Sequence, residues 1–157
     1  MARLDETYVT EIVNRAKTGD ANAFAEMYAA TCDRQYLFSY CYLGSDEAKD
    51  ALKETYVLAL NGLYTLHDPK LFVSWLNQIN FRVCNTRAKR TSDNEMIPYL
   101  LALPFSEGQI LFLHKVRGLS LFQVADLLES NIVNVSQHLH SGEEHLADLM
   151  KKGGTLK

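Results

Sequence analysis

"ADLLESNIVNVSQHLHSGEEHL", Ala125 to Leu146, is the stretch on which the fold turns. With its lead-in "LSLFQV", Leu119 to Val124, it has the spacing of a helix-turn-helix. Ser120 is placed to cap a first helix, Val124 and Leu128 face a core, and small Ala125 sits where two helices must approach closely. Val135 and Leu139 face the same core from a second helix, with Asn131 placed as its cap. Two features run against the pattern. The hinge of such a unit needs positive φ and usually takes Gly, yet Glu129 stands near there instead. The second helix holds no Lys or Arg from Ile132 to Leu146, only His138, His140, His145, Glu143, Glu144 and small polar residues among its polar positions.

Working outward, the chain reads as helix nearly throughout. Tyr8, Val9, Ile12, Val13 and Ala16 form one stripe, Gly19 can close that helix, and Asp20 can cap the next. Phe24, Met27, Tyr28 and Thr31 continue the pattern, and apolar residues run to Leu43. Gly44 and Ser45 read as a stop followed by a cap. Ala48, Ala51, Leu52, Thr55, Tyr56, Ala59, Leu60 and Leu63 mark a third helix. Asp68 and Pro69 start a fourth, whose narrow core stripe is Phe72, Leu76, Ile79 and Val83 and which runs to about Arg90. "TSDNEMIP", Thr91 to Pro98, is the linker-like segment. Beyond it "YLLALPFSEGQILFLHKV" gives a short turn of helix, then a helix from near Ser106 that Gly118 ends. The tail "KKGGTLK" reads as frayed. The expectation is an all-α fold of two small helical domains, the second a helix-turn-helix: 1–90, a linker 91–97, 98–150, and a tail 151–157.

Composition sets the limits on function. A chain of 157 residues with 47% hydrophobic content allows one domain or two small ones with a packed core. The net charge of -3 makes the whole molecule no magnet for polyanions, so any nucleic-acid affinity must come from local patches. Cys32, Cys41 and Cys84 are odd in number and lack CxxC spacing, which argues against a disulfide framework or zinc ribbon and fits a reducing cytosol. No apolar run reaches membrane length, and "MARLDETYVT" lacks a signal-peptide core, so a soluble cytoplasmic protein without membrane insertion is expected. His138, His140 and His145 are not at i, i+4 spacing and no carboxylate completes a metal geometry; His140 and Glu144 instead suit a surface pair. No nucleophile–base pair, phosphate loop or paired-acid constellation is present, so neither an enzyme nor a cofactor is expected.

The fourth helix carries a possible nucleic-acid face. At 100° per residue, Gln78, Phe81, Arg82, Asn85 and Lys89 fall opposite the core stripe, with Arg87 and Arg90 near the end. Cations hold phosphates, amides reach base edges and an aromatic ring stacks on an unpaired base. The plainer alternative is that the cations complement the helix dipole and Phe81 is half-buried. Trp75, at the edge of that face, suits a core anchor. In the second helix of the helix-turn-helix, Asn134, Ser136, Gln137 and His138 would be exposed; Asn and Gln pair with adenine, while Ser and His contact phosphates. The alternative is a helix-turn-helix kept only as a packing unit.

Four segments in order, from about Glu11 to Leu149, resemble the small two-domain sigma factors of bacterial RNA polymerase, the extracytoplasmic-function (group 4) branch of the sigma-70 family. They are "AKTGDANAFAEMYAA", "DEAKDALKETYVLALNGL", "DPKLFVSWLNQINFRV" and "LALPFSEGQILFLHKVRGLSLFQVADLL". The resemblance implies a transcription initiation factor that binds core RNA polymerase and directs promoter recognition and opening. Asp50, Lys53, Glu54 and Val57 would meet the polymerase clamp. The loop from Leu66 to Lys70, with Trp75, Gln78, Arg82, Asn85 and Lys89, would meet the −10 element, and Asn134, Ser136, Gln137 and His138 the −35 element. Lys70, Phe81 and Arg90 complete the expected DNA-binding set. An anti-sigma factor is an implied further partner. Three departures favour an alternative, a sigma-derived interaction module or regulator that does not itself recognise promoters. Lys53 replaces the family's usual Gln. The recognition helix lacks cations at Ser136, His138, Ser141 and Glu143. The linker from Thr91 to Ile97 spans only about 25 Å when extended.

Overall fold

The computed structural model describes residues 5–155, and all regular structure among them is helical. Residues 1–4 of the expected first domain, and Leu156 and Lys157 of the expected tail, lie outside the described residues. The chain divides into two compact units at residues 84 and 85, a division that falls within the fourth helix. None of the described helices is long and apolar enough to cross a membrane.

In the first unit, α1 (Glu6–Lys17) starts where Asp5 accepts from the Thr7 N–H and buries Val9, Ile12 and Val13. Gly19 turns the chain at φ +94, a conformation that a Cβ disfavours. Asp20 then accepts from the Asn22 and Ala23 N–H groups to open α2 (Ala21–Leu43). Arg15 ties the corner through Asp20 (3.2 Å) and Glu26 (3.0 Å). Gly44, at φ +84, separates α2 from α3 (Ser45–Gly62). Ser45 is the first helical residue rather than the expected cap, and no side chain caps α3. Asp68 accepts from the Lys70 N–H at the 3₁₀ turn Pro69–Leu71, which leads into α4 (Phe72–Thr91). The core joins Val9, Ile12 and Val13 to Met27, Leu52, Tyr56, Leu63, Phe72 and Leu76. Burial pushes the Tyr56 phenol above its ordinary range, although its bond to Thr31 works the other way.

The buried face of α4 is wider than the expected stripe. Asn80, Phe81, Cys84, Asn85 and Ala88 are buried beside Phe72, Leu76 and Val83. Hydrogen bonding permits the polar members. Asn80 Nδ2 donates to the Gln35 backbone and side-chain oxygens (both 3.0 Å), and its Oδ1 accepts from Ser39 (2.9 Å). Gln35 in turn donates to Asn77 (2.6 Å).

The second unit contains α5 (Ile97–Leu100), α6 (Phe105–Leu111), a wide π turn at Phe112–Val116, α7 (Leu121–Leu127) and α8 (Ile132–Thr155). Its core includes Ile97, Leu100, Ile110, Leu111, Phe112, Leu113, Val124 and Val135. Gly142 lets α8 approach α6 closely: a Cβ there would stand 3.1 Å from Leu111 and 3.2 Å from Glu107. Lys151 to Thr155, expected to fray, are the last turns of α8. Tyr99 lies over Gly153, where a Cβ would come within 2.7 Å of the phenol oxygen.

Candidate nucleic-acid interface

The segment forms two helices, α7 and α8, joined by a tight turn, with Val124 and Leu127 buried and Leu128, the expected core position, half-buried at the end of α7. Ser120 accepts from the Gln123 N–H while the Gln123 side chain accepts from the Ser120 N–H, a complete capping box on α7. Asn131 accepts from the Asn134 N–H (2.9 Å) at the start of α8. Glu129 adopts φ +54, so the hinge takes the left-handed conformation without the usual Gly. Val135 is buried, Leu139 is half-buried, and Asn134, Ser136, Gln137 and His138 are all exposed. Two exposed apolar residues escaped the pattern: Val133 at 60% and Phe122 at 75%. Val133 lies between half-buried Ile132 and buried Val135, and its angle around the helix turns it outward.

Glu143, His140, Glu144 and His145 on α8 pair within its own unit. Glu143 pairs with Lys115 (3.3 Å), and His140 with Glu144 (3.2 Å), as their spacing suggests. The third contact, between His145 Nδ1 and Glu107 Oε1 (2.6 Å), joins partners 38 residues apart, a separation no local spacing reveals. Glu107 is buried and His145 largely exposed. The hydrogen bond to Glu107, reinforced by its charge, holds the His145 imidazole above its ordinary pKa.

On α4, Gln78, Arg82, Lys89 and Arg90 are exposed, and so is Lys70 just before the helix. Arg82, Lys89 and Arg90 enter no ion pair among the described residues, while Arg87 is half-buried and does have a partner. Trp75 is half-buried, 6.1 Å from the Phe72 ring and against Gly62, which makes it a core anchor at the rim. Two expected contact residues are corrected. Phe81 is 2% exposed, with its ring 5.4 Å from Tyr42, so it offers no platform for a base. Asn85 is 1% exposed and donates to the Ile97 carbonyl (3.4 Å), so its amide reaches no base edge. Both lie on flanks that the four-residue core stripe left open and that the fold covers.

On α3, Asp50, Lys53, Glu54 and Val57 are exposed at i, i+3, i+4, i+7 spacing, which places them along one side of the helix. Lys53 also borders an open groove of about 820 Å³ between α2 and α3, lined by Tyr28, Tyr36, Tyr40 and Leu37. Tyr28, which continues the helical pattern in the sequence, and Tyr40 remain exposed at its rim.

No family model and no curated protein sequence matches the chain. Among solved structures it is similar to a chain from the structure of CnrH in complex with the cytosolic domain of CnrY. That match has a TM-score of 0.53 and 19% identity, covering 92% of this chain and 98% of that one. A chain from the RsbN–BldN complex matches at a TM-score of 0.46 and 24% identity, covering 87% of this chain and 98% of that one. The first likeness is one of fold.

Proposed function

We propose that the chain is a sigma-like transcription initiation factor of the extracytoplasmic-function type, acting in the cytoplasm. In this reading it binds core RNA polymerase and directs promoter recognition and opening, and the polymerase supplies all of the chemistry. The observation that carries the reading is the set of exposed cations on α4, Arg82, Lys89 and Arg90, which no carboxylate among the described residues neutralises. A polyanion that reaches α4 meets charge that is not already spent on internal pairs, and counterion release then favours the bound state. Gln78 on α4 and Lys70 just before it are exposed as well, and half-buried Trp75 completes the proposed contact set there. The stripe Asp50, Lys53, Glu54 and Val57 on α3 is the proposed polymerase contact, and Asn134, Ser136, Gln137 and His138 on α8 the proposed upstream-element contact.

The domain boundaries proposed for this role are 1–90 and 98–150, joined by 91–97. An anti-sigma factor is a proposed partner. The fold shared with a chain of the CnrH–CnrY complex is compatible with a protein-bound state of that kind.

One observation favours a second reading, a sigma-derived interaction module that recognises no promoter. The outward side of α8 has no Lys or Arg before Lys151, and its His140–Glu144 pair is not a cationic site. The test is capture of core RNA polymerase by the full chain, followed by run-off transcription on a genomic library. Captured polymerase that starts transcripts at defined sites supports the initiation factor. Capture without initiation transfers support to the interaction module, and no capture removes the initiation factor and leaves only a module that binds another regulator.

A further inference from the structure

The first two turns of α8 point to a base preference, and the inference rests on the initiation-factor reading above. Val135, Gly142 and Leu146 are buried and define the inward side of α8. At 100° per residue the opposite side begins with Val133 and Gln137, one turn apart and both exposed. Val133 is 60% exposed, so its branched apolar side chain is open on this side. The hinge at Glu129 and the Asn131 cap fix where this turn starts.

In a major groove the two side chains have distinct complements. A Gln amide pairs bidentately with N7 and the N6 amino group of adenine, and an apolar side chain packs on the C5-methyl group of thymine. Side chains one helical turn apart lie roughly 6 Å from each other, which matches about two base steps at 3.4 Å per strand. We propose that Val133 and Gln137 form one reading unit for A·T pairs, with Gln137 on adenine and Val133 on a thymine methyl within about two steps. This extends the contact set to Val133, which has no hydrogen-bonding group and acts only through the methyl. With no Lys or Arg among the first two turns, these contacts carry the selectivity of the helix instead of trimming a strong background affinity.

The experiment uses the full chain assembled with core RNA polymerase. Duplexes randomised upstream of a fixed start region are selected on this complex, and the enriched element is then resynthesised with deoxyuridine for thymidine or 7-deazaadenine for adenine. Enrichment of A·T pairs is expected. Deoxyuridine at one position should weaken the wild type severalfold and leave Val133→Ala unaffected. Deazaadenine at a nearby position should cost the wild type about tenfold and leave Gln137→Ala unaffected. Both side chains are exposed, and matched thermal melts of the variants confirm that folding is intact. Promoter opening with no upstream preference, or with a G·C preference, overturns the inference and leaves the initiation-factor reading standing. Equal loss on deoxyuridine in wild type and Val133→Ala also overturns it. A complex that opens no promoter at all overturns the reading and the inference together.

Discussion

The outward sides of α4 and α8 carry opposite equipment. On α4, exposed Arg82, Lys89 and Arg90 combine with Gln78, giving charge that attracts phosphate at a distance alongside an amide that acts only in contact. On α8, Asn134, Ser136, Gln137 and His138 are all contact groups, and the nearest charges are tied into Lys115–Glu143, His140–Glu144 and His145–Glu107. The difference separates two tasks that a DNA-binding helix usually performs together. Phosphate attraction sets affinity and its dependence on salt, whereas base-edge contact sets selectivity. In the proposed reading the first task falls to α4 and only the second to α8, so α8 would select among sequences only once something else has brought DNA to it.

The largest effect that bears on this contrast is loss of the packing that presents α4. Leu76 is fully buried beneath the helix, and Leu76→Ala should cost about 2–5 kcal/mol of stability, measured by urea denaturation. A cost below about 1 kcal/mol would mean that α4 is not seated as described. Next come the charges themselves. Arg82→Glu with Lys89→Glu should abolish promoter-dependent transcription and lower the slope of log affinity against log salt by about 2. Unchanged run-off transcription would remove the role given to α4. The converse change sharpens the comparison. Ser136→Arg with His138→Arg should add nearly one unit of salt slope each and raise binding to DNA of any sequence, measured by fluorescence anisotropy. If binding does not rise, α8 does not face DNA.

Parts of this contrast were legible in the sequence because they rest on local chemistry. Asp20, Asp68, Ser120 and Asn131 cap where their side chains and the following pattern require. Glu129 stands near the expected hinge, and it takes the left-handed conformation itself. What the sequence hid depends on distant neighbours. Phe81 and Asn85 lie on the outer side of a four-residue stripe, and only the Tyr42 ring and the Ile97 carbonyl show that those flanks are covered. The exposure of Val133 emerges only once the helix is in place, since the core pattern of Val135 and Leu139 leaves it unassigned. The extension of α8 to Thr155 was hidden too, because Gly153 looks like a helix breaker until the Tyr99 ring is seen over it.

The smallest expected effect concerns how α8 is held, and it depends on pH. His145 on α8 meets Glu107 from α6, with Glu144 and Asp148 on its own helix adding negative potential. Its pKa in the folded state is therefore raised above the ordinary value of about 6.5 in the unfolded chain. The folded protein binds the proton more tightly, so the pair's contribution to stability is fully present below about pH 6.5 and fades as pH rises through the higher folded-state value. The imidazole is largely exposed, and solvent keeps the contribution small. Hydrogen exchange in α6 and α8, corrected for intrinsic rates, should show slightly weaker protection at pH 9 than at pH 6, and His145→Ala should flatten that difference. Val9 and Ile12 in α1 belong to the other unit and should show no change of this origin. A pH dependence that survives in His145→Ala would place its source in other groups, and α8 would then owe its seating to Gly142 and the apolar core alone.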